Sequence, residues 1–93
     1  MHKYVIERTV PGAGQMDETA LQAIAVKSNQ VLDQLGPTIQ WVSSYVSDDR
    51  ITCVYYAADE ELIREHGRLG GFPVDGIQLV HTTIDPTTAA PSA

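Results

Sequence analysis

The chain has 93 residues and a mass of 10.1 kDa, which is the size of a single domain. Six Lys and Arg against twelve Asp and Glu give a formal net charge of −6 and a pI near 4.7. This acidic balance argues against nucleic acid or an anionic membrane as a partner, because both require a basic surface. The one cysteine excludes an internal disulfide and a thiolate cluster for zinc or iron–sulfur.

The sequence offers no targeting or membrane-spanning segment. Residues 1–8 carry charges where a signal peptide needs an apolar core. The longest uncharged stretch, residues 36–47, contains Pro, Thr, Gln and Ser and is too short to cross a bilayer. We therefore expect a cytoplasmic protein.

The first half of the chain predicts a strand followed by a long helix. His2–Val10 is rich in β-branched and aromatic residues and stops at Pro11-Gly12-Ala13-Gly14. Apolar residues then recur at helical spacing over Asp17–Leu35, and Gly36-Pro37 predicts the helix end. The glycines superficially resemble a phosphate-binding turn, but a tight strand-to-helix connection is the simpler interpretation.

A β-hairpin is predicted next, with strands Ile39–Ser47 and Arg50–Ala58 and a two-residue turn at Asp48-Asp49. This register places Tyr45 opposite Thr52. One face then carries Trp41, Ser43, Tyr45, Val54 and Tyr56. The other face carries Val42, Val46, Ile51, Cys53 and Tyr55. A three-residue turn would instead exchange the partners.

The last third of the chain predicts a second helix and a final strand. Asp59 begins the helix, Glu60 and Glu61 lie in its first turn, and Gly70-Gly71 ends it. The inward stripe of this helix comprises Leu62, Ile63, His66 and Leu69. Ile77–Asp85 is the predicted last strand. Residues 1–86 would form the domain, and residues 87–93 a loose C-terminal tail.

The order β-α-β-β-α-β is typical of the α+β ferredoxin-like sandwich, in which a four-stranded antiparallel sheet carries both helices on one face. The opposite face is then left bare. Because Trp41, Tyr45, Val54 and Tyr56 are expected there, the pattern predicts a homodimer through the sheet.

Several sequence blocks together resemble a known family. They are residues 3–8 with 11–14, 36–37 with 40–42 and 44–46, 48–49 with 53–55, then 63–66, 70–73 and 84–87. In these blocks the chain resembles the small bacterial proteins called domain of unknown function 4242. The resemblance implies a ferredoxin-like dimer. It also implies a nickel-binding role, since some members carry the name nickel-binding protein. No catalytic motif is established for the family.

The candidate metal ligands are His66, Cys53, His81 and His2, because nickel(II) accepts imidazole nitrogen and sometimes thiolate. None of them forms an H-x-x-x-H or C-x-x-C pair, so a site would be assembled in three dimensions or between subunits. His66 is the best single candidate; the alternative is a buried histidine bonded to backbone. His2 could also chelate a divalent ion together with the terminal amine.

Cys53 lies in mid-strand and is best interpreted as a small core residue; a nucleophile with His66 as its base is the lesser alternative. The leading functional hypothesis is a cytoplasmic nickel-binding protein that buffers or senses the metal rather than catalysing a reaction. One alternative is a small-molecule-binding or enzymatic ferredoxin-like dimer with a cavity between sheet and helices. Another is a ligand-sensing or interaction module without chemistry of its own.

Overall fold

The structure is a computed structural model, and it describes residues 1–91. Its main elements occur in the predicted order. They are β1 His2–Thr9, α1 Glu18–Leu35, β2 Ile39–Val46, β3 Arg50–Ala57, α2 Glu60–Gly70 and β4 Gly76–Leu79. Two short 3-10 helices occupy Ala13–Gln15 and Pro86–Ala89.

The four strands form one antiparallel sheet in the order β2-β3-β1-β4, which confirms the ferredoxin-like fold. Alternate residues of β1 are buried: Tyr4, Ile6 and Arg8 face inward, whereas Lys3 and Val5 lie on the other face. The apolar core lies between this inward face and the two helices. It includes Tyr4, Ile6, Ile39, Ile51, Cys53, Tyr55, Ala57 and Ile63.

Both helices begin at aspartate caps, Asp17 and Asp59. The side chain of Asp17 accepts a hydrogen bond from the Ala20 amide at 2.8 Å, and Asp59 accepts one from Leu62 at 3.0 Å. Each bond satisfies an amide that the first helical turn leaves unpaired. At the far end of α2, Gly71 adopts a positive φ of 70°, the left-handed conformation that favours glycine.

The glycine-containing segment after β1 is a structural connection. The Gly12 amide donates to a carboxylate oxygen of Asp49 at 2.9 Å, and the Gly14 amide donates to the Asp48 carbonyl at 2.9 Å. A Cβ atom on Gly14 would lie 3.0 Å from the Cα of Asp48, so a side chain there would crowd the hairpin turn. The segment therefore fixes the β1–α1 connection against the β2–β3 turn.

The hairpin confirms the predicted two-residue turn but corrects the face assignments of Trp41 and of Val42, which was expected beside Tyr55 and is instead exposed. Tyr45 pairs with Thr52 and Ser43 with Val54 as expected, yet Trp41 pairs with Tyr55 because β2 contains a bulge at Val42. One extra residue reverses the face of every residue beyond it. The prediction that Trp41 lies on the bare face is therefore wrong, and its indole points towards the helices.

The last strand is shorter than predicted. It ends at Leu79 rather than Asp85, although the Val80 amide still donates to the Lys3 carbonyl at 2.9 Å. The Asp85 side chain then accepts a hydrogen bond from the Thr87 amide and caps the second 3-10 helix. The predicted boundary of the domain at residue 86 stays a prediction, and residues 92–93 of the predicted tail lie outside the described part of the chain.

The bare face of the sheet keeps exposed apolar side chains even without Trp41. Val42 is 52% exposed, Tyr45 66% and Tyr56 38%. The homodimer through this face remains a prediction, since the structure contains one chain. Within residues 1–91, no helix has both the length and the apolar composition needed to cross a membrane.

Candidate functional site

A cavity of about 360 Å³ lies between the sheet and the helices. Its wall is mainly apolar and includes Val10, Leu21, Ile24, Ala25, Trp41 and Phe72. Its polar lining consists of Arg8, Ser28, Ser44, Cys53 and Tyr55. An apolar pocket with a few convergent polar groups is the usual form of a small-molecule site.

A chain of hydrogen bonds fixes the polar side of the cavity. The Trp41 indole nitrogen donates to the Ser44 hydroxyl at 2.9 Å, and that hydroxyl donates to the Cys53 Sγ atom at 3.0 Å. Arg8 Nε also approaches the same sulfur at 3.4 Å. Cys53 is thus a buried acceptor for two donors.

Arg8 is a buried cation, with only 4% of its surface exposed. Its Nη1 atom donates to the Pro73 carbonyl at 2.8 Å, and its guanidinium carbon lies 5.7 Å from the centroid of the Phe72 ring. Its Nη2 atom is buried without a hydrogen-bond partner. Among residues 1–91, no carboxylate forms an ion pair with Arg8.

His66 is buried against the same cluster and is 1% exposed. Its Nε2 atom lies 3.0 Å from the Ser28 hydroxyl, and its ring lies between Phe72 and Tyr55 at centroid distances of 5.4 and 5.2 Å. Burial, and secondarily the positive charge of Arg8, lowers its pKa to about 4. The imidazole is therefore neutral near pH 7, and its Nδ1 atom has no hydrogen-bond partner.

The hydrogen bonds do not assemble a nucleophile from Cys53 and His66. Cys53 Sγ accepts from Arg8 and Ser44, whereas the bonded nitrogen of His66 faces Ser28. Covalent catalysis by a thiol requires the base within hydrogen-bond reach of it. In the described part of the chain these two side chains have other partners, which favours the interpretation of Cys53 as a core residue.

The two remaining predicted ligands, His2 and His81, lie at one end of the sheet. In the β1–β4 ladder Tyr4 pairs with Leu79, and the hydrogen bond from Val80 to Lys3 extends this register by one residue. The next positions along the two chain segments are His2 and His81, although the strand pairing itself ends at Leu79. Both side chains are exposed, and the His2 ring lies 6.4 Å from that of Tyr4.

No three His, Cys, Asp or Glu side chains within residues 1–91 are grouped so that they could hold a metal ion. The structure thus separates the predicted ligands into two environments. His66 and Cys53 are buried beside a cation, whereas His2 and His81 are exposed at the sheet end. The interior does not fit a metal cation, because Arg8 already occupies it with a positive charge. The exterior pair supplies two imidazoles but not a complete ligand set.

Sequence reasoning missed Arg8 as a functional candidate. A signal was present, since Arg8 continues the inward alternation of Tyr4 and Ile6 in β1. A charged residue at a core position is the informative exception to burial of apolar residues.

Comparison with known proteins identifies the relatives of this fold. The family model described as "Nickel responsive protein SCO4226-like" matches residues 4–80. The chain belongs to this SCO4226-like family. The match supports a small nickel-responsive family, as the sequence blocks predicted, but it does not confirm the name domain of unknown function 4242.

A solved structure agrees with the fold. The crystal structure of SCO4226 from Streptomyces coelicolor A3(2) has a TM-score of 0.74 and 12% sequence identity. The similarity covers 88% of this chain and 99% of that one. At this identity the likeness establishes the ferredoxin-like fold alone. No curated protein sequence matched the chain.

Proposed function

We propose that this protein binds Ni²⁺ and buffers or senses the metal rather than catalysing a reaction, with His2 and His81 as its own ligands. Membership in a family described as nickel-responsive supports the choice of metal. The choice of site rests on the β1–β4 register, which would bring His2 and His81 together if it continued one residue beyond the bond from Val80 to Lys3. Imidazole nitrogen is a suitable ligand for nickel(II).

Electrostatics favours this exterior site over the interior pair of His66 and Cys53. A nickel ion near Cys53 would meet the Arg8 guanidinium, which approaches the same sulfur at 3.4 Å. The sulfur would also have to give up its two hydrogen-bond donors before binding a metal. At the sheet end both imidazoles are exposed, and the chain as a whole is negatively charged.

Two imidazoles would fill only two of the coordination positions of a nickel ion, so other donors would have to fill the rest. Nickel(II) commonly takes octahedral or square-planar geometry, so water or a second chain would complete the ligand set. A centre shared by two copies would bring four imidazoles together, two from each chain. This arrangement fits the predicted homodimer and would make nickel binding depend on association of the chains.

The test is calorimetric titration of Ni²⁺ into protein without a histidine tag, with Zn²⁺, Cu²⁺ and Co²⁺ for comparison. We expect binding of Ni²⁺ in the micromolar range or tighter. Substitution of His2→Ala together with His81→Ala should abolish it, because both proposed ligands are lost. Neutral imidazole binds the metal, so the affinity should also fall as the pH drops through the ordinary histidine range.

The matched control is His66→Gln, which removes an imidazole from the core and leaves both exterior histidines in place. Under the proposal this variant binds nickel as the parent does, provided that it folds. Retained binding in the His2/His81 double variant, together with loss in His66→Gln or Cys53→Ser, would instead place the metal in the interior. Absence of nickel binding in the parent protein would contradict the proposed function itself.

A further inference from the structure

The interior cavity contains a positive charge without a counterion. Arg8 is 4% exposed, and its guanidinium reaches one carbonyl oxygen, one sulfur and one aromatic ring. None of these three partners is a carboxylate, although the ring and the carbonyl dipole offset part of the cost of burial. The Nη2 amino group remains free and buried.

The residues around the cavity supply no acid to neutralise this cation. The lining contains no Asp or Glu. Glu7, the neighbour of Arg8 in β1, lies on the other face of the sheet, where it accepts a hydrogen bond from Thr52 and pairs with Arg50. Arginine keeps its charge in proteins, so the cavity has a permanent positive site.

The remaining walls determine what kind of anion would fit. The rest of the lining is aliphatic and aromatic and includes Leu21, Ile24 and Phe72. Such walls disfavour a compact, strongly hydrated ion such as phosphate, which would lose its water without enough donors to replace it. They favour an anion whose charge is attached to an apolar body.

We propose that this cavity binds an organic monoanion, a carboxylate on a compact apolar body, and that the charge of Arg8, which lines the cavity, anchors the carboxylate. The Trp41 indole also lines the cavity and offers an apolar surface to the body of the ligand. A carboxylate bonded to a guanidinium forms a charge-assisted hydrogen bond, which is stronger than its neutral counterpart. This site is separate from the proposed nickel ligands and does not depend on them.

The test uses octanoate and phenylacetate as probes, each paired with its neutral amide, and inorganic phosphate as a third control. Trp41 is the single tryptophan of the chain and lies in the cavity wall, so its fluorescence reports occupancy directly. We expect at least one carboxylate to bind roughly tenfold or more tightly than its amide, because only the carboxylate pairs with Arg8. Phosphate should produce no change.

The decisive variant is Arg8→Met, which preserves much of the side-chain volume and removes the charge. It should lose the preference for carboxylate over amide. Its melting temperature should stay the same or rise, because an unpaired buried charge has been removed. Arg50→Met is the matched control, since Arg50 is exposed on the other face and pairs with Glu7; this variant should bind the carboxylates as the parent does.

A second variant keeps Arg8 and fills the cavity. Ala25 lines the cavity from α1, so Ala25→Phe should abolish binding of the carboxylates. Ala23→Phe places the same ring on the exposed side of α1 and should leave binding unchanged. Equal affinity for carboxylates and amides, no fluorescence response to either carboxylate, or full binding by Arg8→Met would overturn the proposal.

Discussion

The Nε2 atom of His66 lies 3.0 Å from the hydroxyl oxygen of Ser28, so a polar contact joins α2 to α1 inside the apolar layer. The Phe72 and Tyr55 rings flank the imidazole, and the Arg8 charge acts on it as well. The folded state consequently holds this histidine in its neutral form. Protonation would place a second positive charge in a cavity region that already contains one.

This contact predicts a pH dependence of folding. The pKa of His66 is lowered from 6.5 to about 4 in the folded protein. Between these pH values the folded state therefore binds fewer protons than the unfolded state. The stabilisation is complete above pH 6.5 and is lost progressively as the pH falls towards 4, at a cost on the order of 3 kcal/mol. Chemical denaturation at several pH values measures this loss as a decrease in the free energy of unfolding.

The control for this prediction is His66→Gln, which has no titrating group at that position. Carboxylates protonate in the same range in both proteins, so the difference between their pH profiles isolates the histidine. We expect the variant to lose less stability than the parent between pH 6.5 and 4. Parallel profiles would show that His66 is not held neutral by the fold.

The sequence predicted the element order and the sheet, because capped helices and glycine stops mark each boundary. It failed at Val42 for a specific reason. Trp41 and Val42 are both apolar, so shifting the register by one residue leaves an equally apolar pattern on each face. Only the pairing of Trp41 with Tyr55 shows where the extra residue lies.

The candidate sites were predictable to different degrees. His66 follows from the helical spacing of α2, and its burial was one of the expected outcomes. The proposed proximity of His2 and His81 depends on the β1–β4 register. No hairpin turn sets this register, because these strands are joined through the other elements. The unpaired charge of Arg8 depends on where every nearby carboxylate points, and sequence spacing does not contain that information.

The corrected position of Trp41 changes the prediction for two lysine variants. Trp41→Lys should destabilise the fold by about 2 kcal/mol or more, because it breaks the bond to Ser44 and adds a charge near Arg8. Tyr45→Lys alters an exposed side chain on the bare face and should change the stability by less than about 0.5 kcal/mol. Denaturant unfolding at a dilution where both are monomers measures these values.

Tyr45→Lys should also affect the association of two chains into the predicted homodimer. Because this residue is 66% exposed on the bare face, Tyr45→Lys should weaken the predicted homodimer in sedimentation experiments. A parent protein that stays monomeric at high micromolar concentration would contradict the dimer. Dimers of unchanged affinity in Tyr45→Lys would move the interface away from this part of the sheet.

Gly67 in α2 predicts a steric effect that opposes helix propensity. A Cβ atom there would lie 2.8 Å from Val74 Cγ2 and 3.0 Å from the Phe72 carbonyl oxygen. Gly67→Ala should therefore destabilise the protein by about 1–3 kcal/mol, although alanine is the better helix former. Thermal unfolding measures this change.

Gly76 provides the matched comparison for Gly67. A Cβ atom at Gly76 would lie 3.8 Å from the Glu7 Cβ, which is an ordinary contact. Gly76→Ala should change the free energy of unfolding by no more than about 0.5 kcal/mol. Equal effects of the two alanine substitutions would show that the turn after α2 does not press against Gly67.

X-ray absorption at the nickel edge of Ni²⁺-loaded protein without a tag tests the proposed nickel site most directly. The site at His2 and His81 predicts a first shell of nitrogen and oxygen atoms only, with the outer-shell scattering of imidazole rings. That imidazole signal should disappear in the His2→Ala, His81→Ala double variant. A short nickel–thiolate distance would identify Cys53, the single cysteine of the chain, as a ligand and would contradict the exterior site.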